Sequence, residues 1–124
     1  MSSPDSSSKE LALVAARAAD DKQGIDITIL DVTSVLAITE MFVITSATNS
    51  RQVKTIASEV TDKVREALGR SPLHSEGAGE QQWILLDYGD VVVHIFADEA
   101  RRFYEIERLY MDVPRIAFDP QALS

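Results

Sequence analysis

The order of periodic segments along this chain predicts an α/β (α+β) domain, a mixed β-sheet flanked by helices. Three features carry the prediction. Val53, Ile56, Ala57, Val60, Val64 and Leu68 recur at i, i+3, i+4 and i+7, the stripe of an amphipathic helix. "WILLDYGDVVVHIF", residues 83–96, reads as two strands meeting at Gly89-Asp90. Around these, helical and strand patterns follow in the order α-β-β-α-β-β-α. The 124 residues, 45% hydrophobic and 26% charged, suit one domain able to bury roughly two thirds of its unfolded surface.

Residues 1–7 are a Ser-rich polar lead, expected to be flexible, and residues 8–112 are read as the domain. From Ser8 the first helix carries Leu11, Val14, Ala15 and Ala18 on one stripe, with Gly24 as its stop. In "IDITILDV", Ile25, Ile27 and Ile29 alternate as in a half-covered strand. "MFVITSA", residues 41–47, is a continuous apolar run suited to a more deeply buried one. Thr33–Glu40 fits a turn or more strand. Asn49 or Ser50 caps the second helix, and Gly69 with Pro72 beyond ends it. "RSPLHSEGAGEQQ", residues 70–82, is read as a loop. "DEARRFYEIERLY", residues 98–110, is a third helix with Asp98 at its N-cap and Phe103, Ile106 and Tyr110 on one stripe. Residues 113–124, with two prolines, are read as an irregular C-terminal tail.

Parity divides the hairpin. A two-residue turn with Gly at its first central position sets Tyr88 opposite Val91, Leu86 opposite Val93 and Ile84 opposite Ile95. These six form one uniformly core-like face, and sliding the turn by one step leaves its membership unchanged. The other face carries Trp83, Leu85, Asp87, Val92, His94 and Phe96. Asp87 and His94 are diagonal neighbours there, roughly 7–8 Å apart at Cα. Either a helix covers this face and Asp87 bonds His94 beneath it, or Trp83, at the outer end of its strand, offers a free indole N–H to a partner.

Known chemistries find little to work with. There is no cysteine, so disulfides, zinc-thiolate sites and thiol nucleophiles are excluded. His74 and His94 are the two imidazoles, and no Gly-x-Ser-x-Gly elbow accompanies them. "SATNSRQ" precedes a helix but has no glycine and no P-loop lysine, so capping suits it better than phosphate binding. Asp87 and Asp90 lie three apart across a turn, and Asp26 and Asp31 five apart; neither pair sets two carboxylates on one metal. The N-terminus lacks a signal-peptide pattern and no apolar run is long enough to span a membrane, so the expected location is cytoplasmic. The net charge of −8 disfavours a direct grip on nucleic acid and suits a basic protein partner.

"DVTSVLAITEMFVITSATNSRQV" and "WILLDYGDVVVHIFADEARRFYEIERLY" closely resemble the ribosomal silencing factor family, also called Iojap. The resemblance runs from about Lys9 to Tyr110 and rests on Trp83, the Asp87-x-Gly89-Asp90 turn, His94, Arg102, Tyr104 and Glu107 in that order. It implies a nucleotidyltransferase-like fold without catalytic carboxylates, and so no enzyme, no cofactor and no metal. It further implies binding to a basic large-subunit ribosomal protein on the intersubunit face, which blocks joining of the subunits and damps translation when nutrients run low. Some members form homodimers. By position, Trp83 and Tyr88 fall where the family contacts its partner, with Asp87, Asp90 and His94 as neighbours. Three positions depart from the usual pattern: Ala47 stands for Gly, Glu40 for Asp and Tyr110 for Trp. The alternative from another class is a nucleotide- or metal-dependent transferase on the same sheet, which would need Asp87, Asp90 or Asp26 to hold a divalent ion.

Overall fold

The computed structural model describes residues 5–77 and 82–118. Helix α1 (Asp5–Asp21) leads into strands β1 (Ile25–Asp31) and β2 (Met41–Ala47), followed by helix α2 (Ser50–Leu68). Strands β3 (His74–Glu76), β4 (Trp83–Asp87) and β5 (Val91–Ala97) come next, then the short helices α3 (Asp98–Tyr104) and α4 (Ile106–Leu109) and strand β6 (Arg115–Ile116). The strands make one sheet in the order β3-β4-β5-β2-β1-β6, with β2 and β5 parallel and the other pairs antiparallel. Among the described residues no helix is long and apolar enough to cross a membrane.

Each face of the sheet buries its own apolar layer. On one, α1 and α2 pack over Ile29, Met41, Val43, Ile84, Leu86, Val91, Val93 and Ile95. On the other, Ala100 of α3 and the partly buried Ile106 of α4 and Tyr110 cover Leu30, Phe42, Ile44, Val92 and Phe96. Strand β2 lies between β1 and β5, and all seven of its residues are buried, as its unbroken apolar run requires. Helix α2 buries the predicted stripe of Val53, Ile56, Ala57, Val60 and Val64. Each of its fully buried aliphatics contributes about 1.5–3 kcal/mol. Asn49 caps the helix by accepting the Gln52 N–H at 2.8 Å, and Thr48 N–H is held by Gln52 Oε1 at 2.9 Å. These bonds occupy two of the N–H groups that a phosphate cradle at this helix start would draw on.

Several boundaries differ from the sequence reading. Residues 5–7, placed in the flexible lead, already belong to α1. Ser8 explains this: it is 1% exposed, and its hydroxyl faces Glu40 Oε1 at 2.6 Å and Asp90 Oδ2 at 3.0 Å, so the turn before it is helical to deliver it there. Residues 1–4, and residues 119–124 of the expected tail, lie outside the described residues. Gly24 does not itself end α1; Gln23, at φ +66°, reverses the chain. A Cβ on Gly24 would come within 2.6 Å of Thr45 Oγ1, so that glycine serves close approach. Thr33–Glu40 is a turn, with Leu36 N–H bonded to Val32 O at 2.8 Å. Strand β1 is not half-covered throughout, because Leu30 is fully buried in the second layer.

The expected loop at 70–82 contains β3, three exposed residues paired with β4 at the sheet edge, while residues 78–81 lie outside the described residues. The expected irregular tail contains β6, whose Ile116 and Arg115 pair with Ile29 and Leu30. The third helix breaks at Glu105, which adopts φ +49°. Arg101 supplies the cause. Its Nη1 and Nη2 donate to the carbonyls of Ile25 and Asp26 at 3.0 and 2.8 Å, and its Nε and Nη2 also reach the Glu107 carboxylate at 3.2 and 2.6 Å. A straight helix would carry Glu107 away from a guanidinium six residues earlier, so the chain turns at Glu105 to close the pair. The turn also breaks the predicted stripe: Ile106 and Tyr110 pack on the second layer, whereas Phe103 is 79% exposed.

Candidate functional site: the β4–β5 hairpin

The hairpin adopts the predicted register. Ile84 pairs with Ile95, Leu86 with Val93 and Asp87 with Val92, and Tyr88 N–H donates to Val91 O at 2.8 Å. Gly89 has φ +94°, as its place at the first central position of the turn requires. All six residues of the core-like face, Tyr88 among them, are buried beneath α1 and α2. The opposite face is covered at its centre and opens toward β4, where Trp83, Leu85 and Asp87 are half-buried.

The five candidate partner residues do not form one patch. Trp83 and Asp90 lie at opposite ends of the hairpin, about 20 Å apart along the strand at ~3.3 Å per residue. Trp83 stacks on Phe96, with ring centres 4.8 Å apart at 29°, and its Nε1–H donates to His94 Nδ1 at 3.2 Å. The indole N–H is therefore not free, contrary to the sequence reading. Asp87 does not bond His94; its Oδ1 accepts the Gly89 N–H at 2.8 Å and stiffens the turn. Tyr88 and His94, at 1% and 4% exposure, present almost no side-chain surface to a partner.

Asp90 is tied inward. Arg70 grips it with two bonds of 2.7 and 3.2 Å and also donates to Tyr88 O at 2.7 Å. Burial pushes the Asp90 carboxyl up, but hydrogen bonds from Arg70 and Ser8 and the Arg70 charge outweigh it and hold the group below the usual carboxylate range. Glu40, one carbon longer than the usual Asp of the resembled family, joins this network through Ser8. Burial pushes the Tyr88 hydroxyl up to about 12. Thr61 beside it pulls the other way, although the Thr61 hydroxyl itself donates to Ala57 O and the Tyr88 oxygen closes no full hydrogen bond among the described residues.

His94 sits inside an aromatic cluster. Phe42 is 4.7 Å away at 70°, Phe96 is 6.2 Å away and nearly parallel, and Tyr110 packs edge-on against Phe42 at 5.3 Å. Because Nδ1 accepts from Trp83, the imidazole proton resides on Nε2, which has no hydrogen-bond partner among the described residues. Burial lowers the His94 pKa to about 4. The unfolded chain, titrating near 6.5, takes up this proton first. Stability is therefore full above about pH 6.5 and falls as pH drops toward 4, by about 3 kcal/mol over that window. Urea unfolding midpoints measured from pH 7.5 to 4 should show this fall, and a His94→Phe chain should lose most of it. An unchanged slope in that variant would assign the acid sensitivity elsewhere.

Leu73, beside this turn, and Ile38 are exposed apolar residues that the sequence pattern did not mark. A Cβ on Gly89 would meet Leu73 Cδ1 at 3.3 Å, and Glu40, two residues after Ile38, bonds Asp90 O through its N–H at 2.9 Å. Isolated apolar residues in loops carry no periodic signal, so the sequence alone could not single them out. Among the described residues, no group of three or more His, Asp or Glu is arranged to hold a metal.

Comparison with known proteins places this geometry. The family model described as "Ribosomal silencing factor during starvation" matches residues 5–124. The ribosomal silencing factor RsfS of Bacillus subtilis is 37% identical over 90% of this chain and 93% of its own length. A crystal structure of a protein from Chromobacterium violaceum superposes with a TM-score of 0.80 at 34% identity, covering 89% of this chain and 90% of that one. More distant is the mouse protein named "Mitochondrial assembly of ribosomal large subunit protein 1", 29% identical over 68% of this chain and 38% of its own length. The names of the bacterial relatives describe regulators rather than enzymes. With a family match over residues 5–124, a relative 37% identical over 90% of the chain and the shared fold, the chain belongs to the family of ribosomal silencing factors.

Proposed function

We propose that this chain is a cytoplasmic translational repressor that docks on a basic protein at the intersubunit face of the large ribosomal subunit and keeps the small subunit from joining. The observation that carries this reading is Trp83, a half-buried indole at the open end of the second sheet face in a chain of the silencing-factor family. Indoles held rigidly at a surface are frequent anchors of protein interfaces, because they bury a large area at little entropic cost. Asp87 adds a half-exposed carboxylate on the same strand, and the net charge of −8 complements a basic partner. The name of the mouse relative supports the choice of the large subunit. Inhibition of this kind needs no chemical step. A bound domain occupying the surface where two subunits meet excludes the second by bulk.

The test is co-sedimentation with isolated large subunits across a salt series. Binding should be strong at low salt and weaken as salt screens the charge pairing. Trp83→Ala should cost about 2 kcal/mol of binding or more, roughly a thirtyfold loss. The reading is overturned if the chain fails to sediment with large subunits at low salt.

A further inference from the structure

What histidine contributes at position 94 differs from what an apolar ring would contribute. A phenyl ring, one ring atom larger, would leave no buried N–H without an acceptor, an arrangement that is costly for His94 Nε2. The one thing imidazole adds is a lone pair on Nδ1, and that lone pair is spent on the Trp83 indole N–H at 3.2 Å.

We propose that His94 is a positioning residue for docking: buried and unable to touch the partner, it fixes the rotation of the Trp83 ring and so selects the edge that the indole presents. The stack on Phe96 sets the plane of the indole, and the bond to His94 sets its orientation within that plane. A side chain with both degrees of freedom fixed before contact loses less entropy on binding. The proposal rests on Trp83 being the docking anchor, as argued above.

The groups around His94 leave this bond undisturbed. From β2 it meets Phe42, and Tyr110, a titratable side chain after α4, packs on the other side of Phe42. On β4 the carboxylate of Asp87 is turned to Gly89. Burial alone accounts for the displaced titration of His94, with no charged partner contributing.

Trp83 is the single tryptophan of the chain, so its indole N–H resonance and emission report on this site without interference. The experiment compares wild type, Trp83→Ala, His94→Phe and His94→Asn as full chains, reading unfolding midpoint, the indole signals and affinity for large ribosomal subunits. Asparagine offers an amide oxygen near the place of Nδ1 but fills less space; phenylalanine fills the space and offers no acceptor. The expected result is an inversion. At neutral pH His94→Phe is the more stable of the two, yet it loses the shifted indole resonance and binds about tenfold more weakly than wild type. His94→Asn is less stable but keeps the resonance and binds more tightly than His94→Phe. A His94→Phe chain that loses the resonance and binds like wild type overturns the proposal, as does affinity that simply follows stability. If His94→Phe does not fold, His94→Asn decides alone: resonance kept with affinity near wild type supports it, resonance kept with affinity lost overturns it. Should Trp83→Ala bind normally, the docking role of Trp83 fails and the proposal with it. Should Trp83→Ala bind weakly while His94→Phe binds normally, only the positioning role fails.

Discussion

An Arg101→Met chain is expected to lose about 2–3 kcal/mol of stability, the scale of the hydrogen bonds a buried guanidinium makes. The Arg101 side chain is 9% exposed and serves three elements at once. It donates to the Ile25 and Asp26 carbonyls at the start of β1, to Ser46 Oγ on β2 at 3.2 Å, and to both oxygens of Glu107. Asp26 sits at φ +49°, where the register between β1 and β2 shifts by one residue, so its carbonyl is paired by side chains, Arg101 at 2.8 Å and the Thr28 hydroxyl at 3.2 Å. Methionine would fill the volume but remove every charged donor, leaving the Ile25 and Asp26 carbonyls with the weaker hydroxyl bonds of Thr45 and Thr28, at 3.0 and 3.2 Å. Glu107, 28% exposed, can turn toward water, so Glu107→Gln should cost less than Arg101→Met. Its carboxyl is held below the usual range chiefly by the Arg101 hydrogen bond, so the pair weakens in acid, adding to the loss already expected from His94. Lysine is no substitute: a single ammonium cannot span two carbonyls and a carboxylate, and Arg101→Lys should recover less than half of the loss. Urea unfolding at neutral pH measures all three variants. A loss under about 1 kcal/mol for Arg101→Met would mean that water replaces the guanidinium, and the account of the β1 bulge would be wrong.

The same residue shows why part of the fold was hidden from sequence reading. Arg101 stands in a stretch of regular helical pattern, and nothing local marks it as buried or marks Glu105 as the break. The cause is a contact 75 residues away in the chain, between Arg101 and Asp26. Strand β3 escaped for a different reason. Its three residues are all exposed, and an edge strand with no buried side chain has no hydrophobic alternation to read. Strand β6 is two residues long and follows a proline, below the length at which any period can be recognised.

The hairpin was legible because its information is local. A two-residue turn fixes register, register fixes parity, and parity separates core from cover, so six of its side chains could be assigned before any tertiary contact was known. Parity also placed His94 diagonally between Trp83 and Asp87, but it is symmetric between the two diagonals. The twist of the sheet and the rotamers break that symmetry, and neither is written in an alternating pattern. One clue was available. An aspartate two residues before the glycine of a tight turn commonly bonds that glycine's own N–H, which removes Asp87 from competition and leaves His94 to the indole.

Gly77→Ala is the second substitution expected to have a large effect, and it joins stability to docking. A Cβ at position 77 would stand 1.9 Å from the carbonyl oxygen of Trp83 and 3.3 Å from Cα of Ile84. Both are backbone atoms at the start of β4, just beyond its pairing with β3 and held on the other side by pairing with Phe96 and Ile95 of β5. Relief of the clash therefore has to push β3 and β4 apart at this end. Gly77 also has φ +91°, which alanine rarely adopts. Clash and strain together should cost about 3 kcal/mol or more. Gly89→Ala provides the control. Its φ of +94° is just as restrictive, but the nearest atom to its Cβ is the tip of the exposed Leu73 side chain, which can rotate aside. Strain alone should then cost about 1–2 kcal/mol. Because the clash at Gly77 pushes on the backbone that carries the anchor, Gly77→Ala should also shift the Trp83 emission and weaken subunit binding, while Gly89→Ala should leave the emission in place. Equal destabilisation of the two variants, with unchanged emission in both, would show that β3 does not press on Trp83 and that the indole is held by the Phe96 and His94 side of its strand alone.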